Sequence, residues 1–160
     1  LFYEQILLAV PKANPLNDTL FNQRLTRAEI SVNAVSLEQK KGVDLSLFKN
    51  ESFVLLKKEH DLHRRGLELC HERGFTPKVT IYPNQLMTAY NIASQGLGCT
   101  LVTDTLIKRC SFDNELAYYR IDALSEQLTS RQVFIAYKKK RYITKAMHKF
   151  IELACSLFAH

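Results

Sequence analysis

Between Gly74 and Gly98 the chain sets turn formers, an alternating segment and a helical stripe in the order that a strand–helix–strand unit requires. Gly74 is placed to close a preceding helix, because only a residue without Cβ takes the left-handed position after a helix cheaply. Thr76-Pro77 then forbids helix continuation and favours extended chain. Lys78 to Tyr82 alternates around Val79 and Ile81, which predicts a strand. Asn84 is a good N-cap for a helix beginning directly after it. Leu86, Ala89, Tyr90, Ala93 and Leu97 fall at i, i+3, i+4, i+7 and i+11, one face of a helix ending at Gly96. Gly96-Leu97-Gly98 closes that helix and turns tightly into the next strand. The unit sets a helix N-terminus against the carboxyl end of a strand, where open α/β sheets bind small ligands.

The flanking sequence extends the pattern. Gln5 to Val10 predicts a buried strand stopped by Pro11, and Asn14 to Asp18 a loop. Thr19 is predicted to cap a helix through Leu20, Phe21, Arg24 and Leu25, whereas Glu29 to Val35 alternates like a strand. Val43, Leu45 and Leu47-Phe48 lead into Ser52 to Leu56, a continuous apolar run of the kind buried on both faces. Asp61 is predicted to cap a helix to about Arg73, with Leu62, Gly66, Leu69 and Cys70 inward. Cys99 to Val102 reads as a second buried strand, and Asp104 as the cap of a short helix through Leu106 and Ile107. Asp113-Asn114 is a predicted turn, and Ala117 to Ile121 a strand. Asp122 to Ser130 is polar and irregular, suited to a crossover, and Gln132 to Tyr137 is the last strand. Thr144 caps a terminal helix whose expected inward face is Met147, Phe150, Ile151, Ala154, Leu157 and Phe158. Strands alternating with helices predict an α/β fold with a largely parallel sheet.

Composition narrows the function classes. The 160 residues suit one domain or two small lobes, and no apolar run reaches the roughly 20 residues that span a bilayer. Leu1 to Val10 lacks the basic start and small-residue cleavage site of a signal peptide. The chain opens without Met on a strand-like run, so it reads as part of something longer. Lys and Arg outnumber Asp and Glu by 22 to 16, a net charge of +6, but they are dispersed. The densest run, Lys138-Lys139-Lys140-Arg141, is short and reads as a solvated turn rather than a nucleic-acid stripe. Cys70, Cys99, Cys110 and Cys155 form no CxxC pair and no metal spacing, so reduced, buried thiols in a cytoplasmic protein are expected. His60, His63, His71, His148 and His160 are scattered, and His60-Asp61 reads as a capping loop rather than an acid–base pair. The sequence has no GxSxG, P-loop or HExxH, and Gly96-Leu97-Gly98 lacks the third glycine of a dinucleotide site. No enzymatic activity and no cofactor are expected.

Several segments, taken in order, resemble the effector-binding domain of LysR-type transcriptional regulators. Glu4 to Pro11 with Asn14-Pro15-Leu16 resembles the family's opening strand and "hPL" turn. Val43-Asp44-Leu45 with Phe53-Val54-Leu55-Leu56 resembles its "vdL … fill" segment, and Cys70, Gly74-Phe75 and Pro77 its "C…GF.P" element. Ile92-Ala93 with Gly96-Leu97-Gly98 and Leu101 is similar to "va.GlG..l", and Val133 to Tyr137 with Arg141-Tyr142 and Phe150-Ile151 to the closing strand and helix. Each motif is weak alone; their order over nearly the whole chain is specific. Two features depart from the family: Thr103 stands where a Pro often follows the "GlG" strand, and Asn17 to Gly42 is longer than usual.

The resemblance implies a type 2 periplasmic-binding-protein-like α/β fold of two lobes, with mainly parallel sheets and the first lobe incomplete in this chain. Residues 1–122 would be the second lobe, with an insertion at about 17–42, and 123–160 the crossover and the closing strand and helix of the first lobe. It implies a small-molecule effector, an organic anion, held at Pro83, Asn84 and Gln85 and on neighbouring loops at His60, Asp61 and Thr103. Helix N-termini support this, since their free N–H groups and partial positive charge hold anions. Asn84 reads equally well as a plain N-cap, and Lys57-Lys58 beside His60 better as a solvated loop. The implied partners are further copies, as a homodimer or homotetramer, and DNA through an N-terminal helix-turn-helix absent here; no membrane is implied. The alternative on the same fold is a transporter's solute-binding protein.

Overall fold

Ile6 to Val10 are each at most 1% exposed, and this apolar run makes β1 (Phe2–Pro11) the strand around which the molecule is built. The computed structural model describes residues 1–32, 40–109, 115–138 and 142–158. The turn expected at Asp113-Asn114, Cys110, His160 and most of the Lys138–Arg141 run lie outside these residues. After β1 come α1 (Leu16–Thr19), β2 (Arg24–Leu25), α2 (Arg27–Val32) and β3 (Ser52–Val54). They are followed by α3 (Asp61–Glu72), β4 (Lys78–Ile81), α4 (Leu86–Ser94), β5 (Cys99–Thr103) and α5 (Asp104–Arg109). The described chain closes with β6 (Leu116–Arg120), α6 (Glu126–Thr129), β7 (Ser130–Val133) and α7 (Lys145–Phe158).

The sheet runs β2-β6-β1-β5-β3-β4, with β7 added to the far end of β1. β3 pairs parallel with both β4 and β5, as βαβ crossovers require. The expected predominance of parallel strands is corrected elsewhere: β1 runs antiparallel to β5, β6 and β7, and β2 antiparallel to β6. β1 lies across the chain's later strands, so its direction depends on long-range pairing that no local pattern encodes. The α/β class itself stands.

Alternate residues of β1 enter opposite layers, as the two-residue strand period demands. Ile6, Leu8 and Val10 join Phe53, Leu55, Leu62, Leu69 and Cys70, whereas Leu7 and Ala9 join Ile30, Tyr90, Ala93, Val102 and Ile107. The helices therefore cover both faces of the sheet.

Several local expectations change. Thr19 caps no helix: it ends α1, and a 3-10 turn (Phe21–Gln23) leads into β2. Over Glu29–Val32 the expected strand is instead α2, started by a reciprocal capping box, and the rest of that expectation, 33–35, lies outside the described residues. Glu29 Oε2 accepts from the Thr26 backbone N–H at 2.7 Å, and Thr26 Oγ1 accepts from Glu29 N–H at 3.2 Å. Lys40 sits 2.8 Å from Glu29 and, with the Thr26 bonds, lowers its carboxyl from 4.5 to about 2. Leu97 is 53% exposed and Leu86 half-buried, so of the predicted helical stripe only Ala89, Tyr90 and Ala93 are buried. A short helix, α6, stands within the expected irregular crossover, and β7 begins at Ser130 and stops at Val133, short of Tyr137. Thr144 does cap α7, accepting from Met147 N–H at 3.2 Å, but no residue of α7 is buried. Cys70 and Cys99 are buried, and burial pushes both thiols up to about 12, while Cys155 is exposed.

Candidate functional site

The carboxyl ends of β3 and β4 lie side by side because these strands are parallel neighbours. From β3 the chain passes through Leu55 and Leu56, both buried, to Lys57-Lys58-Glu59-His60 and then α3. From β4 it passes through Tyr82, Pro83, Asn84 and Gln85 to α4. The two loops are joined by backbone: Leu55 N–H donates to Ile81 O at 3.3 Å, and Lys57 N–H to Pro83 O at 3.1 Å. Both helices therefore start at one edge of the sheet, with their N-termini on the same side.

Neither start is closed by a side chain. The N-cap of α4 is Gln85, extended at φ −127° and ψ 143°, with no side-chain cap bond. That of α3 is His60, extended at φ −94° and ψ 138°, again without one. The expected N-caps Asn84 and Asp61 are thus each displaced by one residue. Asn84 precedes the cap, exposed. Asp61 is already helical, and its carboxylate is taken by Arg64 at 2.7 Å and Arg65 at 2.5 Å. Burial pushes the Asp61 carboxyl up, but the bonds from Arg65 and Arg64 outweigh it and hold it below the ordinary carboxylate value. The first N–H groups of a helix have no partner within it, so both starts keep donors for a ligand.

A shallow depression of about 400 Å³ opens between the loops, lined by Lys57, Lys58, Glu59, His63 and Tyr82. His63 and Tyr82 escaped the sequence reading. His63 lies in the first turn of α3, and its ring faces Tyr82 with centroids 5.8 Å apart. Its Nδ1 lies 2.6 Å from Leu56 O; a carbonyl only accepts, so Nδ1 carries the proton in this bond. Their signal was adjacency: one follows the expected cap by two positions and the other immediately precedes Pro83.

The structure places His60, Asp61, Asn84 and Gln85, all exposed, on this edge. Pro83 is buried and contributes through its carbonyl. Thr103 ends β5 at the same end of the sheet but is 2% exposed, and its Oγ1 accepts from Leu106 N–H at 3.3 Å. Thr103, rather than Asp104, is therefore the side-chain cap of α5. Asp104 is its first residue, with Oδ1 accepting from Gln5 N–H at 2.9 Å and Oδ2 2.6 Å from Lys108. A larger hollow of about 590 Å³ lies at the amino ends of the parallel strands, lined in part by Glu51, Gly96 and Gly98. The carboxyl end of α4 points there, which disfavours an anion. Among the described residues no cluster of His, Cys, Asp and Glu could hold a metal ion, and no helix is long and apolar enough to cross a membrane.

Comparison with known proteins agrees with this architecture. The family model described as LysR substrate binding domain matches residues 1–158. The uncharacterized HTH-type transcriptional regulator YcgK of Bacillus subtilis (strain 168) is 28% identical over 159 residues, covering 96% of this chain and 45% of that protein. Among solved structures, the Synechocystis PCC6803 CcmR regulatory domain in complex with 2-PG is similar, with a TM-score of 0.71 at 12% identity, covering 98% of this chain and 64% of that one. The BenM effector binding domain with its effector benzoate gives a TM-score of 0.54 at 15% identity, covering 98% of this chain and 61% of that one. At these identities the structures establish the fold, which is type 2 periplasmic-binding-protein-like. This chain spans less than half of the regulator and under two thirds of either domain.

Proposed function

The chain belongs to the LysR substrate-binding domain family, and on that premise we propose that it is the effector-sensing part of a LysR-type transcriptional regulator. Its effector is a small organic anion. The observation that carries this reading is the pair of helix N-termini, α3 and α4, opening without side-chain caps on one sheet edge and joined by the Lys57–Pro83 backbone bond. Lys57, Lys58 and His63 supply polar side chains around that edge. The helix starts supply N–H donors and partial positive charge independent of pH.

The domain works by binding, without a chemical step. The anion favours one arrangement of the chain over another only through its differential affinity for the two. In the whole regulator, which is cytoplasmic, that bias passes through contacts between copies to an N-terminal DNA-binding domain. Residues 1–122 form most of the second lobe, and 123–160 return toward the first. The solute-binding alternative is set aside because the curated relative is an HTH-type regulator.

A thermal-shift screen of carboxylates, sugar acids and phosphorylated acids tests the reading. A ligand at 100 times its dissociation constant adds about 2.7 kcal/mol, a clear rise in melting temperature. Asn84→Ala, at an exposed position beside the α4 start, is expected to weaken the hit without lowering the ligand-free melting temperature. A hit indifferent to Asn84→Ala, or a library with no hit, counts against the assignment.

A further inference from the structure

Arg65 stands between the proposed binding edge and the two strands that cross out of the main sheet. It is one turn into α3, and its side chain is 12% exposed. Nε donates to Asp61 Oδ2, at the start of the helix, at 2.5 Å. One terminal nitrogen reaches the other way, donating to the backbone carbonyls of Gln127 and of Ser130, the latter at 3.1 Å. Ser130 is the first residue of β7 and the register partner of Gln5 in β1. Gln5 is itself gripped from the other side, its N–H bound to Asp104 Oδ1 at 2.9 Å. The crossing point is thus held by one charged side chain from α3 and another from α5.

α3 has other ties to the same segment. Glu72 Oε2 accepts from Leu124 N–H at 3.1 Å, and Arg73 donates to Asp122 O at 2.7 Å. These sit at the far end of the helix. Of the three, Arg65 alone shares its ionic partner with the binding edge. Asp61 occupies the positive end of α3, the place an arriving anion would also occupy, so the two negative charges compete there. An anion that weakens the hold on Asp61 changes what Arg65 can offer the carbonyls of Gln127 and Ser130. Because Arg65 is largely desolvated, those bonds are worth more than an open surface pair.

We infer that Arg65 is a positioning residue that couples the anion-binding end of α3 to the β1–β7 crossing point, through Asp61 on one side and the Gln127 and Ser130 carbonyls on the other. The inference rests on the proposed function for its purpose, but the coupling itself is testable without a ligand. Amide hydrogen exchange of β7 and of Phe2–Gln5 is measured on the intact protein and on Arg65→Met, Arg65→Lys, Asp61→Asn and the double variant Asp61→Asn/Arg65→Met. Arg65→Met is expected to speed exchange of these amides about fivefold while the amides of β4 and α4 keep their rates. Asp61→Asn should speed the same amides less, and should add nothing once Arg65 is Met. Arg65→Lys, which keeps the charge but lacks the fork, should fall between. Glu72→Gln serves as the control, its effect adding to that of Asp61→Asn. If Arg65→Met loosens every amide alike, the decision passes to Asp61→Asn: an effect on β7 supports the coupling, and an effect confined to α3 overturns it. Additive effects of Asp61→Asn and Arg65→Met overturn it as well. Such a failure leaves the ligand screen and its reading untouched.

Discussion

The interior strand β1 and the terminal helix α7 are both written in strongly apolar sequence, yet they end in opposite environments. Ile6 to Val10 are at most 1% exposed, whereas Met147, Phe150, Leu153 and Leu157 are between 40% and 68% exposed. Of α7, the ring of Phe158 is engaged, stacked on Phe2 at 4.8 Å with the Arg109 guanidinium 5.7 Å from its centre. An apolar stripe therefore specifies that a helix forms and which face is oily, but burial depends on a partner surface. β1 has neighbours on both edges and helices on both faces.

This contrast yields a graded set of stabilities. Leu8→Ala, at a position with 0% exposure between β5 and β6, should cost the most, about 3 to 4 kcal/mol in denaturant unfolding. A cost under about 1 kcal/mol would show that the interior repacks freely. Gly98→Ala comes next. Gly98 has φ +145°, and an added Cβ would lie 2.7 Å from Ser52 O, a backbone atom that cannot move aside alone. We expect about 2 to 3 kcal/mol, with loss of protection spreading from β5 to β3.

Tyr119→Phe probes polar satisfaction inside the core. Its hydroxyl donates to Asn17 Oδ1 at 2.8 Å, and Asn17 in turn donates to the Pro11 and Lys12 carbonyls. Removing the hydroxyl leaves a buried acceptor unpaired and should cost about 1 to 2 kcal/mol. Glu29→Ala removes half of the α2 capping box and should cost about 1 kcal/mol at neutral pH. Because the folded pKa lies near 2 against an ordinary 4.5, this contribution is full above 4.5. It fades as the pH falls toward 2, so wild type and variant should converge there. Phe150→Ala on α7, at 65% exposure, should change stability by less than about 0.5 kcal/mol. A loss near that of Leu8→Ala would mean that the α7 face is covered in solution.

Legibility in the sequence tracks the range of the interactions. Gly74 and Gly96, at φ +77° and +82°, end their helices at the expected positions, because a left-handed residue is a local demand. β4, α4, β5 and α3 arise from periodicity of 2 or 3.6 over adjacent residues. Two kinds of element resist a local reading. Thr26 and Glu29 carry a capping-box signal, but the alternation from Glu29 to Val35 competes with it. The antiparallel partners of β1 lie about 90 to 130 residues away and leave no local trace.

The candidate site was legible as loops, less so as atoms. Pro83 to Gln85 and His60-Asp61 do meet on one edge, because β3 and β4 are parallel neighbours. The caps fell one residue off, since the extended Gln85 and His60 take that position without side-chain bonds. His63 and Tyr82, which face each other across the depression, depended on a tertiary contact.

Amide chemical-shift mapping of the intact protein, during titration with the strongest anion from the screen, locates the bound anion on the sheet. The amides of Asp61, Leu62, Leu86, Met87 and Thr88 are expected to move first and saturate together, with the His63 ring moving after them. Saturable shifts confined to the hollow lined by Glu51, Gly96 and Gly98 at the amino ends of the parallel strands would contradict it.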